Sequence, residues 1–106
     1  MNTDLTDLEH SLLMAILRLG SEANGLNVRR EVMLRVGKHF ARVTIYAALK
    51  SLERSGYCVG EDVAGTPARG GFPERYYRLS GAGEQALRAW DQSCFPSGGG
   101  LQTAGG

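Results

Sequence analysis

Arg42-Val43-Thr44-Ile45-Tyr46-Ala47-Ala48-Leu49-Lys50-Ser51-Leu52-Glu53-Arg54 is the stretch that decides the fold. Ile45, Ala48, Leu49 and Leu52 recur at three- and four-residue steps, which gives a helix one compact apolar face. A helical segment is expected from Phe40 to Arg54, closed by Ser55-Gly56. Arg42, Thr44, Tyr46, Ala47, Lys50, Ser51 and Arg54 are left for its other faces. Ala41 stands where Ser, Thr or Asp would cap the helix better.

Immediately upstream, Asn24 is a cap for a second helix over Gly25 to Val36, ended by Gly37. Val28, Val32 and Val36 repeat along it with Met33 beside them, and Arg29, Arg30 and Arg35 are expected mostly on its solvent side. Further back, Thr6-Asp7-Leu8-Glu9 fits a capping box. Leu5, Leu8, Leu12, Ala15, Ile16 and Leu19 then trace an apolar face that Leu13, Met14 and Leu17 widen. An arc that broad belongs to a helix that is central or shared with a second subunit.

Downstream, Tyr57 to Val63 and Arg75 to Leu79 read as strands joined by a Gly- and Pro-containing loop from Ala64 to Glu74. Ser80 caps a last helix with Gly83, Leu87, Trp90 and Cys94 along one side. From Pro96 the sequence turns Gly-rich, so residues 96–106 are expected to be a flexible tail. Residues 1–95 are expected to be one domain, its last helix covering about residues 80–95. Three helices, a long-looped hairpin and a further helix define a mostly α fold with a small β-hairpin. That is the order of a winged helix-turn-helix domain.

Composition removes several function classes. The chain has 106 residues, 42% of them hydrophobic, enough for one modest core. Its longest apolar run, Leu12 to Leu17, is far shorter than the ~20 residues that span a bilayer, so no membrane partner is expected. The first residues are acidic and lack the basic start of an export signal, making the cytoplasm the expected compartment. Cys58 and Cys94 stand alone, so neither a disulfide framework nor a zinc site is expected, and both read as small apolar residues. No metal or other cofactor is implied. An enzyme is disfavoured: His10 and Ser11 are adjacent on a helix and do not face each other, and no HExxH motif occurs.

The net charge is +1, but it is unevenly placed. Residues 1–24 carry −3, residues 25–56 carry +5, residues 57–80 balance, and residues 81–106 carry −1. The excess lies on the helix-turn-helix, where neutralising phosphates needs it. The first part of the second helix of such a motif enters the major groove. Here that part is Arg42, Val43, Thr44, Tyr46 and Ala47. Arg42 can reach a guanine edge or a phosphate, and Thr44 a phosphate or a thymine methyl. Tyr46 can donate to a phosphate or serve as a half-buried packing residue. Lys50 and Lys38 are backbone candidates, with His39 beside Lys38 either a phosphate contact or plain surface. Arg69 at the wing tip and Arg75 on the returning strand complete the DNA-binding set.

Phe40 to Gly56 resembles the recognition-helix signature of PadR-type transcriptional regulators, Thr-Leu-Tyr-x-Ala-Leu followed by Leu-Glu and Gly. Arg75-Tyr76-Tyr77-Arg78-Leu79-Ser80-Gly81-Ala82-Gly83 resembles that family's Tyr-Tyr-Arg-Leu-Thr-x-x-Gly segment at the end of the wing. The resemblance covers about residues 5–90. It implies a repressor that binds operator double-stranded DNA as a homodimer and associates with the nucleoid. It also implies a C-terminal dimerisation helix that builds the subunit interface with the first helix. Some members bind small aromatic effectors there. Leu8, Leu12, Leu87 and Trp90 are the expected interface or pocket residues. Phe72-Pro73-Glu74 stands where the family's wing commonly holds bases, and Gly25-Leu26 where it often has Gly-Tyr. The alternative is a dimeric winged helix that binds a ligand or protein without operator binding.

Overall fold

The computed structural model describes residues 5–65 and 74–94. Helix α1 spans Asp7–Leu19, α2 Gly25–Val36, α3 Arg42–Arg54 and α4 Gly81–Cys94; strands β1, Cys58–Val63, and β2, Glu74–Leu79, lie between α3 and α4. The expected class holds: four helices and a two-stranded antiparallel hairpin.

Local chemistry sets the helix ends. The Thr6 hydroxyl accepts from the Glu9 amide at 3.1 Å while the Glu9 carboxylate accepts from the Thr6 amide at 3.0 Å, completing the capping box. Asn24 caps α2 by accepting from the Asn27 amide at 2.8 Å. Gly37 ends α2 at a φ of 72°, a left-handed geometry that residues with a Cβ adopt reluctantly. Helix α3 starts at Arg42, two residues later than expected, because Phe40 lies outside the helix and Ala41 is extended. Ala41 supplies no side-chain cap, as its sequence position foretold.

The core gathers Leu12, Leu13 and Ile16 of α1, Val28 and Val32 of α2, Ile45, Leu49 and Leu52 of α3, Cys58 and Tyr77 of the hairpin, and Ala86 and Leu87 of α4. Helix α1 touches α2, α3, α4 and β2 and is central, which accounts for Leu13 on its wide apolar arc, while Leu17 on that arc is exposed. The valine stripe of α2 stops short, for Val36 is exposed.

The hairpin pairs Cys58 with Leu79, Gly60 with Tyr77 and Asp62 with Arg75. These residues alternate onto one face of the ribbon. That face is apolar at its base and ionic towards the wing. A backbone bond from the Tyr77 amide to the Ala23 carbonyl (2.8 Å) and a bridge between Asn24 and Tyr76 hold the start of α2 against β2. The expected loop lies largely outside the described residues, as does the Gly-rich tail.

Candidate nucleic-acid interface

The buried residues Ile45, Leu49 and Leu52 fix which way α3 turns its other faces. At about 100° per residue, Arg54 lies about 180° from Ile45, Val43 and Ala47 about 160°, and Lys50 about 140°. Those four residues form the outermost face, and all four are exposed. Arg42 and Tyr46 flank it on one side and Thr44 on the other, also exposed. Among the described residues no carboxylate pairs with Arg42, Lys50 or Arg54. The face is apolar at its N-terminal end and cationic at its C-terminal end. Chemical type draws the eye to Arg42 and Thr44. Helical phase relative to Ile45 is the signal that sets Val43, Ala47 and Arg54 on the same outward face as Lys50.

The turn leading into α3 is held in place by α2. Arg29 donates from Nε to the Phe40 carbonyl at 3.0 Å, so it pins this turn and does not point to solvent as expected. His39 lies 3.4 Å from the same guanidinium. Lys38 is exposed, its ammonium 5.8 Å from the Phe40 ring centroid. Tyr46 is a packing residue that keeps part of its surface in solvent. It is 39% exposed, and its ring rests on the backbone of Gly25 so closely that a Cβ there would overlap its Cε1.

Arg75 is placed differently from the rest of the set. Its guanidinium donates to Glu53 at 2.6 and 3.2 Å and to Asp62 at 2.7 Å. Its charge is therefore already opposed by two carboxylates, and its geometry is that of a brace between α3 and the wing. These bonds raise its pKa further above the ordinary arginine range, the Glu53 hydrogen bond contributing most. Gly60 makes room for the brace, since a Cβ there would lie 2.6 Å from both Arg75 Nε and Glu53 Oε2. Burial, with the nearby Glu53 charge, pushes the Cys58 thiol up to about 11 and the Tyr77 phenol up to about 12. A cavity of about 770 Å³ separates the wing base from α3, with Tyr46, Lys50, Glu53, Arg54, Arg75 and Tyr77 on its walls. Arg69 lies outside the described residues.

The expected interface set divides. Leu12 is 0% exposed and Leu87 6% within a single chain, so both are core residues, and their expected place at a subunit interface is corrected. Leu8 and Trp90 remain partly buried, Trp90 stacked on His10 with ring centroids 4.3 Å apart. Among the described residues no group of three His, Cys, Asp or Glu side chains is arranged to hold a metal ion, and no helix is long and apolar enough to cross a membrane.

Three helices, a ribbon packed beside the third, and an outward cationic face on that helix define a winged-helix domain. No protein-family model matches the sequence, and no curated protein sequence matches it significantly. Solved structures do match. A transcriptional regulator from Thermoplasma acidophilum superposes with a TM-score of 0.69 at 17% identity, over 82% of this chain and 77% of that one. Bacillus subtilis PadR in complex with operator DNA superposes with a TM-score of 0.67 at 22% identity, over 80% of this chain and 47% of that one. A PadR-like transcription factor from Bacteroides fragilis superposes with a TM-score of 0.66 at 26% identity, over 82% of this chain and 79% of that one. The chain thus has the PadR-like winged-helix fold, and these neighbours are transcriptional regulators and not enzymes. It spans about half the length of Bacillus subtilis PadR.

Proposed function

We propose that the protein is a sequence-specific DNA-binding transcriptional regulator of the PadR type, a cytoplasmic homodimeric repressor associated with the nucleoid and released by a small aromatic ligand. The observation that carries the DNA-binding part is the outward face of α3. Lys50 and Arg54 lie on it and Arg42 beside it, exposed and without an acidic partner among the described residues. Phosphate neutralisation by such cations supplies most of the sequence-independent affinity for DNA. The likeness to a PadR structure that holds operator DNA supports the same reading.

Each contact then has a role. Arg42 and Thr44 reach base edges or phosphates from the flanks of α3, and Lys38 and Lys50 contact the backbone. Tyr46, held over Gly25, turns its hydroxyl to a phosphate. Arg75 acts through Glu53 and Asp62, fixing the wing so that Arg69 at its tip meets the adjacent groove. Two copies would set their α3 helices in successive major grooves, ~34 Å apart. Helices α1 and α4 supply the subunit contact, with Leu8 and Trp90 at its edge and the aromatic ligand beside Trp90. The domain is residues 1–95, with 96–106 as a tail outside the interface.

Selection of bound sequences from a random duplex library tests the reading. Enrichment of a two-fold-related pair of half-sites is the expected result. Failure to enrich any sequence would remove the operator-binding role and favour a dimeric winged helix that binds a ligand or a protein.

A further inference from the structure

Val43 is 73% exposed, among the most exposed large apolar residues described. A single exposed valine is ordinary on a protein surface. Three features set this one apart. It sits in the first turn of α3, where a β-branched side chain weakens the helix slightly and no packing offsets that cost. Ala47, one turn on, is exposed on the same face, so the two make a short strip of methyl groups. The strip continues into Lys50 and Arg54 along the same line, and Arg42 flanks it. An apolar strip framed by unpaired cations suits a surface that is itself polyanionic and yet presents apolar points.

Duplex DNA offers such points in the major groove, where the C5-methyl of thymine is the one apolar group on a base edge. As an extension of the DNA-binding function proposed above, we infer that Val43 and Ala47 form the specificity-determining strip, reading thymine methyl groups while Lys50 and Arg54 hold the flanking phosphates. Tyr46 is turned onto Gly25 and Glu53 is engaged by Arg75, so neither competes for the centre of the face. The polar neighbours Arg42 and Thr44 then serve positions on either side of the thymine.

The test uses the full chain and duplexes enriched from a random library. Each thymine of the enriched half-site is replaced in turn by 2′-deoxyuridine, which removes only the methyl group. At one or two positions the replacement is expected to weaken binding about fourfold, the effect of taking one methyl group out of apolar contact. At the thymine that Val43 reads, Val43→Ala is expected to bind the thymine and deoxyuridine duplexes nearly equally, while any preference due to Ala47 remains, and its helical circular dichroism should match the parent because the side chain is exposed. Equal binding of the parent to every deoxyuridine duplex would overturn the inference, as would a Val43→Ala protein that keeps the full thymine preference. In both cases the DNA-binding function itself would stand. A library that yields no enriched sequence would overturn both together.

Discussion

Arg75 donates two hydrogen bonds to Glu53, at 2.6 and 3.2 Å, and so ties the wing to the C-terminal half of α3. The same guanidinium reaches Asp62, its cross-strand partner in β1, at 2.7 Å. One side chain thus braces the angle between α3 and the hairpin. Glu53→Gln and Arg75→Gln are each expected to lower the thermal midpoint, and the double variant to lower it by less than their sum. Such non-additivity is the mark of groups that act on each other. Strict additivity in a double-mutant cycle would mean that the two side chains contribute separately.

Gly25 lets the ring of Tyr46 lie against the start of α2. Gly25→Ala is expected to destabilise the fold by about 1–3 kcal/mol, the usual cost of overpacking. Urea titration measures it. Tyr46→Ala in the Gly25→Ala background should recover much of that loss, because the obstructing ring is gone.

Stability should fall in alkaline solution. The Cys58 thiol and the Tyr77 phenol both have folded-state pKa values above their ordinary ones, at about 11 and about 12. A group raised in this way keeps its full contribution below its unfolded pKa and loses it as pH rises through the folded value. The thermal midpoint should therefore show no loss from these two groups up to about pH 8.5 and then decline between about pH 9 and 12. Cys58→Ala should shallow the first part of that decline. An unchanged slope between pH 9 and 11 in that variant would show that Cys58 does not titrate as its burial requires.

Trp90 stacks on His10 at 4.3 Å, joining α4 to α1 at the edge of the core. If α1 and α4 supply the subunit contact, Trp90→Ala should shift the protein towards monomer in sedimentation experiments at low micromolar concentration. A variant that sediments as the parent does would place the contact elsewhere.

The fold was legible because apolar spacing in this chain is regular. Ile45, Ala48, Leu49 and Leu52 phase α3 unaided, and the two Gly-bounded helices before it follow suit. The same periodicity could not separate core from interface. Leu12 belongs to the pattern either way, and only its complete burial within one chain decides. The partners of Arg75 were not legible for a related reason. Glu53 lies 22 residues away and Asp62 13, and nothing local announces such partners until the strand register sets Asp62 opposite Arg75. Arg29 likewise gave no local sign that it would reach the Phe40 carbonyl, 11 residues on. Val43 and Ala47 were legible as part of the groove-entering turn, but only the buried face of α3 shows that they lie outermost on it.

The most direct test is the salt dependence of DNA affinity, measured for the parent and for single alanine variants on one enriched duplex. Each phosphate contact removed should lower the slope of log K against log salt by about 0.9. Lys50→Ala and Arg54→Ala are expected to do so, while Arg75→Ala, whose charge is opposed by Glu53 and Asp62, should leave the slope unchanged even where it weakens binding. A parent slope near zero, or slopes unaffected by Lys50→Ala and Arg54→Ala, would contradict the assignment of the outward face of α3 to DNA.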